Sequence, residues 1–229
     1  MRSVAVVGSQ GYVGSVLYER LLRSSEYAPE GVTRENHSIM KEKDFDILIN
    51  CAMPSGKFWA NNNPEVDFKE TVEKTANLLY GWKFKKFVQV STVSARCQLD
   101  TIYGRHKAAA EKLCDFGNNL IVRLGALYSP EMKKGVLVDM IQGKKVYVNG
   151  ASRYPFISVS FCADWVVSNL DREGTVEIGG TNAIALKDVA DHIGASVEFE
   201  GAIHHLDIES TEDLPEASDV LHFLDSLKK

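Results

Sequence analysis

Three glycines and one tyrosine–lysine pair are the residues in this chain whose types and spacing bear on chemistry. Gly8, Gly11 and Gly14 punctuate Gly8-Ser9-Gln10-Gly11-Tyr12-Val13-Gly14, a GxxGxxG run. Glycines let a backbone turn sharply and approach a pyrophosphate, and the free N–H groups of a helix N-terminus favour its charge. With Gln10, Tyr12 and Val13 between its glycines, the loop is a candidate dinucleotide cradle; a bare turn from strand to helix is the plainer alternative. Tyr103 and Lys107 stand four positions apart, which puts both side chains on one helical face. That spacing is common by chance, so its place must carry the argument. The pair opens a helix soon after an apolar strand that ends in Ser91-Thr92, at the edge where ligands bind in open α/β sheets.

Positioning these groups requires alternating strands and helices. Ser3 to Val7 is a β-branched apolar run that stops at Gly8, and Val13, Val16, Leu17, Leu21 and Leu22 then share a helical face. Further short apolar runs at Phe45 to Ile49, Phe84 to Val90 and Leu120 to Leu124 fit buried parallel strands. Helical patterns over about 66–82 and 101–116 separate them, so the order predicts right-handed crossovers and a parallel sheet. The expected fold is α/β, a Rossmann-type doubly wound sheet with a small C-terminal lobe. Later elements are predicted as a helix over 131–142, a strand over 145–148, a strand over 156–159 and a helix over 162–170. A strand over 174–180, a helix over 186–193, a strand over 196–199 and an amphipathic terminal helix complete the chain. We expect a dinucleotide-binding domain over 1–128, rejoined by about 156–180, and a substrate-binding lobe from 129–155 and 181–229.

The second strand, over 27–33, should end beside the adenosine ribose, where an acid would accept from the 2′-hydroxyl of NAD. That neighbourhood reads Thr33-Arg34-Glu35. A guanidinium binds phosphate in a bidentate fork, so Arg34 favours the 2′-phosphate of NADP. NAD stays the alternative, served by Glu35 if it turns inward.

Composition excludes several classes. A chain of 229 residues, 45% hydrophobic and 25% charged with 17 Gly and 6 Pro, sits in the ordinary globular range. A net charge of -5 offers nucleic acid no basic face. Cys51, Cys97, Cys114 and Cys162 lack CxxC spacing, and His204-His205 lacks a third ligand, so reduced thiols and no metal are expected. The apolar run Val4 to Val7 is too short for a signal peptide or a membrane span, and a cytoplasmic protein with no membrane partner is the default.

Read in order, the motifs resemble the extended short-chain dehydrogenase/reductase family, in particular its NAD(P)-dependent epimerase/dehydratase and sugar-nucleotide reductase members. Beyond the glycine loop, Asp46 to Ala52 is similar to the family's fourth strand ending in Asn/His-x-Ala, and Phe87 to Thr92 to its fifth. Tyr103 to Glu111 is close to YGxxKxxxE, Val122 to Pro130 to RxxxxYGP, and Ser152 to Val159 to a segment that holds a nucleotide sugar. The resemblance implies that Tyr103 is the acid/base and that Lys107 favours its ionised form while bonding the nicotinamide ribose. It implies that Thr92, with Ser91 as alternate, holds the substrate oxygen, that Cys51 and Ala52 line the cofactor, and that Arg153 binds the substrate diphosphate. Met53-Pro54-Ser55 is either a wall of the nicotinamide pocket or a plain loop.

Departures from the family pattern carry expectations of their own. Residues 35–44 are too few for the usual third strand and helix, so the sheet should lack a strand. The connection from Thr92 to Tyr103 is short, which predicts a more open site. Thr71 stands where the family usually has Asn. The leading function is reduction of a keto-sugar nucleotide, the alternatives being an epimerase or dehydratase that retains its cofactor, and a non-catalytic NADP-binding sensor. The resemblance also implies a homodimer through the helices near 66–82 and 101–116.

Overall fold

The computed structural model describes residues 1–227 and divides into two compact units, one of 1–123 with 163–176 and one of 124–162 with the chain from 177 onward. The first opens with β1 (Arg2–Val7), whose Val4, Ala5 and Val6 are fully buried, and α1 (Tyr12–Arg23), which buries Gly14, Leu17 and Leu21. Next come β2 (Tyr27–Val32), the single turn α2 (His37–Met40) and β3 (Asp44–Asn50). After α3 (Lys57–Asn62), Pro64 starts α4 (Pro64–Phe68), where its missing N–H is no loss. The helix continues through a π-helical turn at Lys69–Glu73 into α5 (Lys74–Gly81). β4 (Lys83–Thr92), α6 (Ser94–Cys97), α7 (Ile102–Cys114) and β5 (Leu120–Leu124) follow. The core of this unit gathers Ala5, Val7, Leu48, Leu78, Trp82, Phe87 and Ile121. Phe87 is completely buried there, and truncating such a side chain typically costs about 3–5 kcal/mol.

The second unit carries β6 (Ala126–Tyr128), α8 (Val136–Ile141), β7 (Arg153–Tyr154) and β8 (Phe156–Ser158). Then α9 (Val159–Ser168) and β9 (Gly174–Ile178) lie astride the boundaries between the units, before β10 (Ile184–Ala185), α10 (Leu186–Ile193) and α11 (Asp219–Ser226). Its own core is built from Leu137, Met140, Phe156, Leu186, Val189, Val220 and Leu224.

The main sheet has the order β2-β1-β3-β4-β5-β9, and β1 pairs in parallel with both β2 and β3, as β3 does with β4. This is the Rossmann-type α/β fold. The strand that residues 35–44 are too few to supply is indeed missing: α2 alone fills that stretch, and β2 forms the sheet edge. Two predicted strands, over 145–148 and 196–199, shrink to one isolated bridge between Val146 and Phe199. Lys145, salt-bridged to Glu198 and Glu200, flanks that bridge, and Gly201 follows it at φ +128°. The helix predicted from residue 131 starts at Val136, because Gly135 at φ +107° breaks the helical path.

Candidate active site

The glycine loop is shaped by what its glycines lack. Gly8 sits at φ +84°, and its carbonyl accepts from the Gly11 N–H at 2.8 Å. A Cβ on Gly14 would lie 2.2 Å from that same carbonyl oxygen, and one on Gly8 3.0 Å from the Ala52 backbone. The loop thus presses onto its own turn and onto the end of β3. Gln10, Gly11 and Tyr12 form its exposed rim, with Val13 half-buried behind them. The first turn of α1 carries no acidic residue and no side-chain cap to compete with an anion. These features fit a dinucleotide pyrophosphate.

Behind the loop, a buried polar network fixes the segment after β3. The Asn50 side chain accepts from the Ala52 N–H at 3.1 Å and donates to Gln89 Oε1 at 3.1 Å and to Thr75 Oγ1 at 3.3 Å. Gln89 in turn donates to Met53 Sδ at 3.0 Å. Cys51 is held by its N–H to the Val7 carbonyl at 2.9 Å. At the end of β2, the Asn36 side chain accepts from Thr33 N–H at 2.8 Å and donates to the Gly31 carbonyl at 2.9 Å. Thr33 Oγ1 donates to Glu35 at 2.6 Å, while Arg34 is exposed. That hydrogen bond holds the Glu35 carboxyl below its usual range.

Thr92 ends β4, and α7 starts ten residues later under the Thr101 hydroxyl, which accepts from the Gly104 N–H at 3.0 Å. Gly104 lets that start lie close: a Cβ there would be 2.1 Å from the Gln98 carbonyl oxygen. The short connection, which folds partly as α6, does not lay Tyr103 open as the sequence led us to expect. Tyr103 is only 8% exposed. Thr92 acts on the Tyr103 phenol, and Lys107 Nζ lies 5.2 Å from the Tyr103 ring centre. Lys107 is itself buried and donates to the Pro54 carbonyl at 2.7 Å, so the segment after Met53 is tied directly to the pair.

Burial governs the charges. It pushes the Tyr103 phenol up to about 12, with Thr92 offsetting part of the rise and the Asp67 carboxylate adding to it. Lys107 is not among the groups that set this phenol, and burial brings the lysine itself down to about 7. Asp67 and Glu111 resist that fall and Lys74 adds to it.

Ser91 does not join the pair. Neighbouring residues of a strand point to opposite faces, and Ser91 donates to Glu111 at 2.5 Å, a carboxylate also held by Arg123 at 2.7 Å. Arg153 lies in the second unit on β7, exposed, 3.8 Å from Asp207, with its backbone bonded to His204 and Leu206. Two residues that the motifs did not mark accompany the pair: Asp67 of α4, fully buried, and His106 of α7, whose Nδ1 is 2.7 Å from the Asp67 carboxylate. No spacing in the sequence flags them.

A sheet ending in a glycine cradle, with a tyrosine, a lysine and a threonine gathered at the end of β4, defines the class of nicotinamide-dependent enzymes with a Rossmann fold. Residues 4–179 match the model of the NAD dependent epimerase/dehydratase family, so the chain belongs to that family and is an NAD(P)-dependent enzyme. A search of curated protein sequences found no match. Among solved structures, the dTDP-4-dehydrorhamnose reductase of Clostridium acetobutylicum is similar at a TM-score of 0.79 and 15% identity, over 99% of this chain and 100% of that one. The dTDP-4-dehydrorhamnose reductase of Bacillus anthracis, in complex with NADP, gives 0.77 and 18% over 98% of each chain. The UDP-glucuronic acid 4-epimerase of Bacillus cereus, with NAD, gives 0.70 and 18% over 96% and 93%. Among the described residues no helix is long and apolar enough to cross a membrane.

Proposed function

We propose that this protein reduces the keto group of a nucleotide sugar, with Tyr103 as proton donor, Thr92 holding the substrate oxygen and Lys107 supporting both. The observation that carries this reading is the buried Tyr103 with the buried Lys107 amine 5.2 Å from its ring centre and Thr92 acting on its phenol. Nicotinamide, when bound, supplies the hydride to the carbonyl carbon. Tyr103 gives its proton to the carbonyl oxygen as the new hydroxyl forms, and its high proton affinity suits it to remain protonated until that moment. Thr92 fixes the oxygen within reach of Tyr103. Gly8, Gln10, Gly11, Tyr12, Val13 and Gly14 would cradle the pyrophosphate, and Cys51, Ala52 and Met53 would flank the cofactor.

Epimerisation uses the same first step and is the second reading, supported by the epimerase among the similar structures. The deciding experiment follows NADPH absorbance and product stereochemistry together with dTDP-4-dehydrorhamnose, UDP-glucose and UDP-galactose. One NADPH consumed per product supports a reductase; conversion of a UDP-hexose at constant cofactor replaces it with an epimerase.

NADP preference rests on Arg34, exposed at the end of β2 beside a Glu35 that is already bonded to Thr33. Charge-assisted hydrogen bonds to a 2′-phosphate contribute about 1.5–3 kcal/mol, roughly ten- to a hundredfold in affinity. Titration of both cofactors should therefore show Arg34→Ala weakening NADP by that factor while NAD barely moves; equal loss for both would show that Arg34 is not the selector and leave the choice between the cofactors open. We further assign the second unit to substrate binding through Arg153. Exposed Val66, Phe68 and Tyr80 on α4 and α5 support a homodimer, and the four free cysteines support a cytoplasmic location.

A further inference from the structure

Asp67 is an unusual residue to find where it is. Its carboxyl is fully buried, one oxygen meets His106 Nδ1 at 2.7 Å, and the other, Oδ1, has no hydrogen-bond partner. A buried carboxylate with an unsatisfied oxygen is costly, and stability alone would favour an apolar side chain there. The helix that presents it is also irregular. The π-helical turn Lys69–Glu73 begins two residues on, and Thr71 Oγ1 within it is buried without a partner as well. Such turns concentrate at functional sites.

His106 connects this carboxyl to the outside. Its side chain keeps 17% of its surface exposed, whereas Asp67 has none and Lys107 almost none. It follows Tyr103 by three residues and precedes Lys107 by one, on the turn of α7 that carries the pair. The Phe68 ring packs edge-on against it at 5.6 Å and shields one side. Asp67 acts electrostatically on Tyr103 and on Lys107 alike. The other charged groups facing Lys107 are Lys74 of α5, itself paired with Glu70, and Glu111 of α7.

Building on the roles given to Tyr103 and Lys107 above, we propose that His106 and Asp67 are the proton-resupply pair of this enzyme, passing a solvent proton to Lys107 and so to Tyr103 after each reduction. The bookkeeping closes at one solvent proton per turnover. Tyr103 is left as phenolate when the substrate oxygen takes its proton, and the Lys107 ammonium replaces that proton and becomes a neutral amine. The Nδ1 proton of the His106 imidazolium passes to Asp67, whose carboxyl rotates about its Cβ–Cγ bond and delivers it to the amine. The neutral ring, left with its Nε2 proton, turns its Nδ1 to the exposed side and takes a solvent proton there. An imidazole can both give and take a proton at a ring nitrogen, which suits it to the outer end of such a chain. Both residues act through Lys107, so they are positioning and relay residues.

The test compares first and later turnovers. With NADPH and dTDP-4-dehydrorhamnose in dilute buffer near pH 8, His106→Asn should lower steady-state turnover about tenfold or more. The first hydride transfer, read by stopped flow, should change less than about twofold. Added imidazole should restore turnover in His106→Asn and leave Tyr103→Phe inactive. Equal loss in both phases without rescue by imidazole, or no loss in either, overturns the proposal. A second measurement needs no substrate: in the free protein, the NMR titration of Lys107 Nζ should move to lower pH in Asp67→Asn, and an unmoved titration also overturns it. If wild type turns over none of the probes, the reductase reading fails while this titration still judges the pair. Should Asp67→Asn not fold, His106→Asn, altered at the partly exposed end, carries the test.

Discussion

Lys107 is a lysine held where water scarcely reaches it, and that has a consequence for stability as well as for chemistry. Its value in the folded protein, about 7, lies below the ordinary 10.5. Between those two values the unfolded chain binds more protons than the folded one, so this group makes the protein more stable as pH rises from about 7 toward 10.5. Denaturant titrations at pH 7 and pH 9 should therefore show a smaller rise in Lys107→Met than in wild type. Coincident rises would mean that the amine is better hydrated than its burial implies. At this scale the sequence was legible where a motif fixed an identity, as with Tyr103, Lys107 and Thr92. It offered Ser91 and Thr92 together because composition cannot tell which face of a strand a residue takes; Glu111 and Arg123 decide that by claiming Ser91. Asp67 and His106 were not legible, since their meeting depends on how α4 packs on α7.

Among the elements, the join of β1 to α1 has the least room for change. The 2.2 Å approach that a Gly14 Cβ would make is to backbone, which cannot swing aside as a long side chain can. Gly14→Ala should open the loop, lowering dinucleotide affinity about tenfold or more and stability by about 1–3 kcal/mol, the usual range for overpacking. Calorimetric titration and a thermal melt of the same variant check both, and near-normal affinity would show that the loop does not need its tight form. Strands and helices with several apolar positions in period, such as β3, β4, α1 and α10, were readable from the sequence. The two short strands at 145–148 and 196–199 were not, because pairing there is limited to the single Val146–Phe199 bridge. Nothing in the sequence announces the π-helical turn at Lys69–Glu73 either, as it depends on backbone spacing rather than on residue type.

For the molecule as a whole, family membership supplies the dinucleotide and the proposal supplies the sugar, so the two ends of substrate recognition are separately testable. Arg153→Ala in the second unit should raise KM for an accepted nucleotide sugar by roughly ten- to a hundredfold, the loss of charge-assisted hydrogen bonds to a diphosphate. Cofactor affinity should hardly change. An unaltered KM across every accepted substrate would remove Arg153 from the site.

The sheet's missing strand leaves β2 as an unpaired edge, and its sequence answers the hazard that creates. Arg2 N–H bonds the Glu26 carbonyl and Gly8 N–H the Val32 carbonyl, so the even-numbered residues of this segment face β1 and the odd-numbered ones turn their backbone groups outward. Those outward positions are Tyr27, Pro29 and Gly31. Pro29 has no N–H to offer, and the Gly31 carbonyl is already taken by the Asn36 side chain. A stray strand from another chain would find the middle of this edge without a donor and its end without a free acceptor, so shortening the sheet has not made it a template for aggregation.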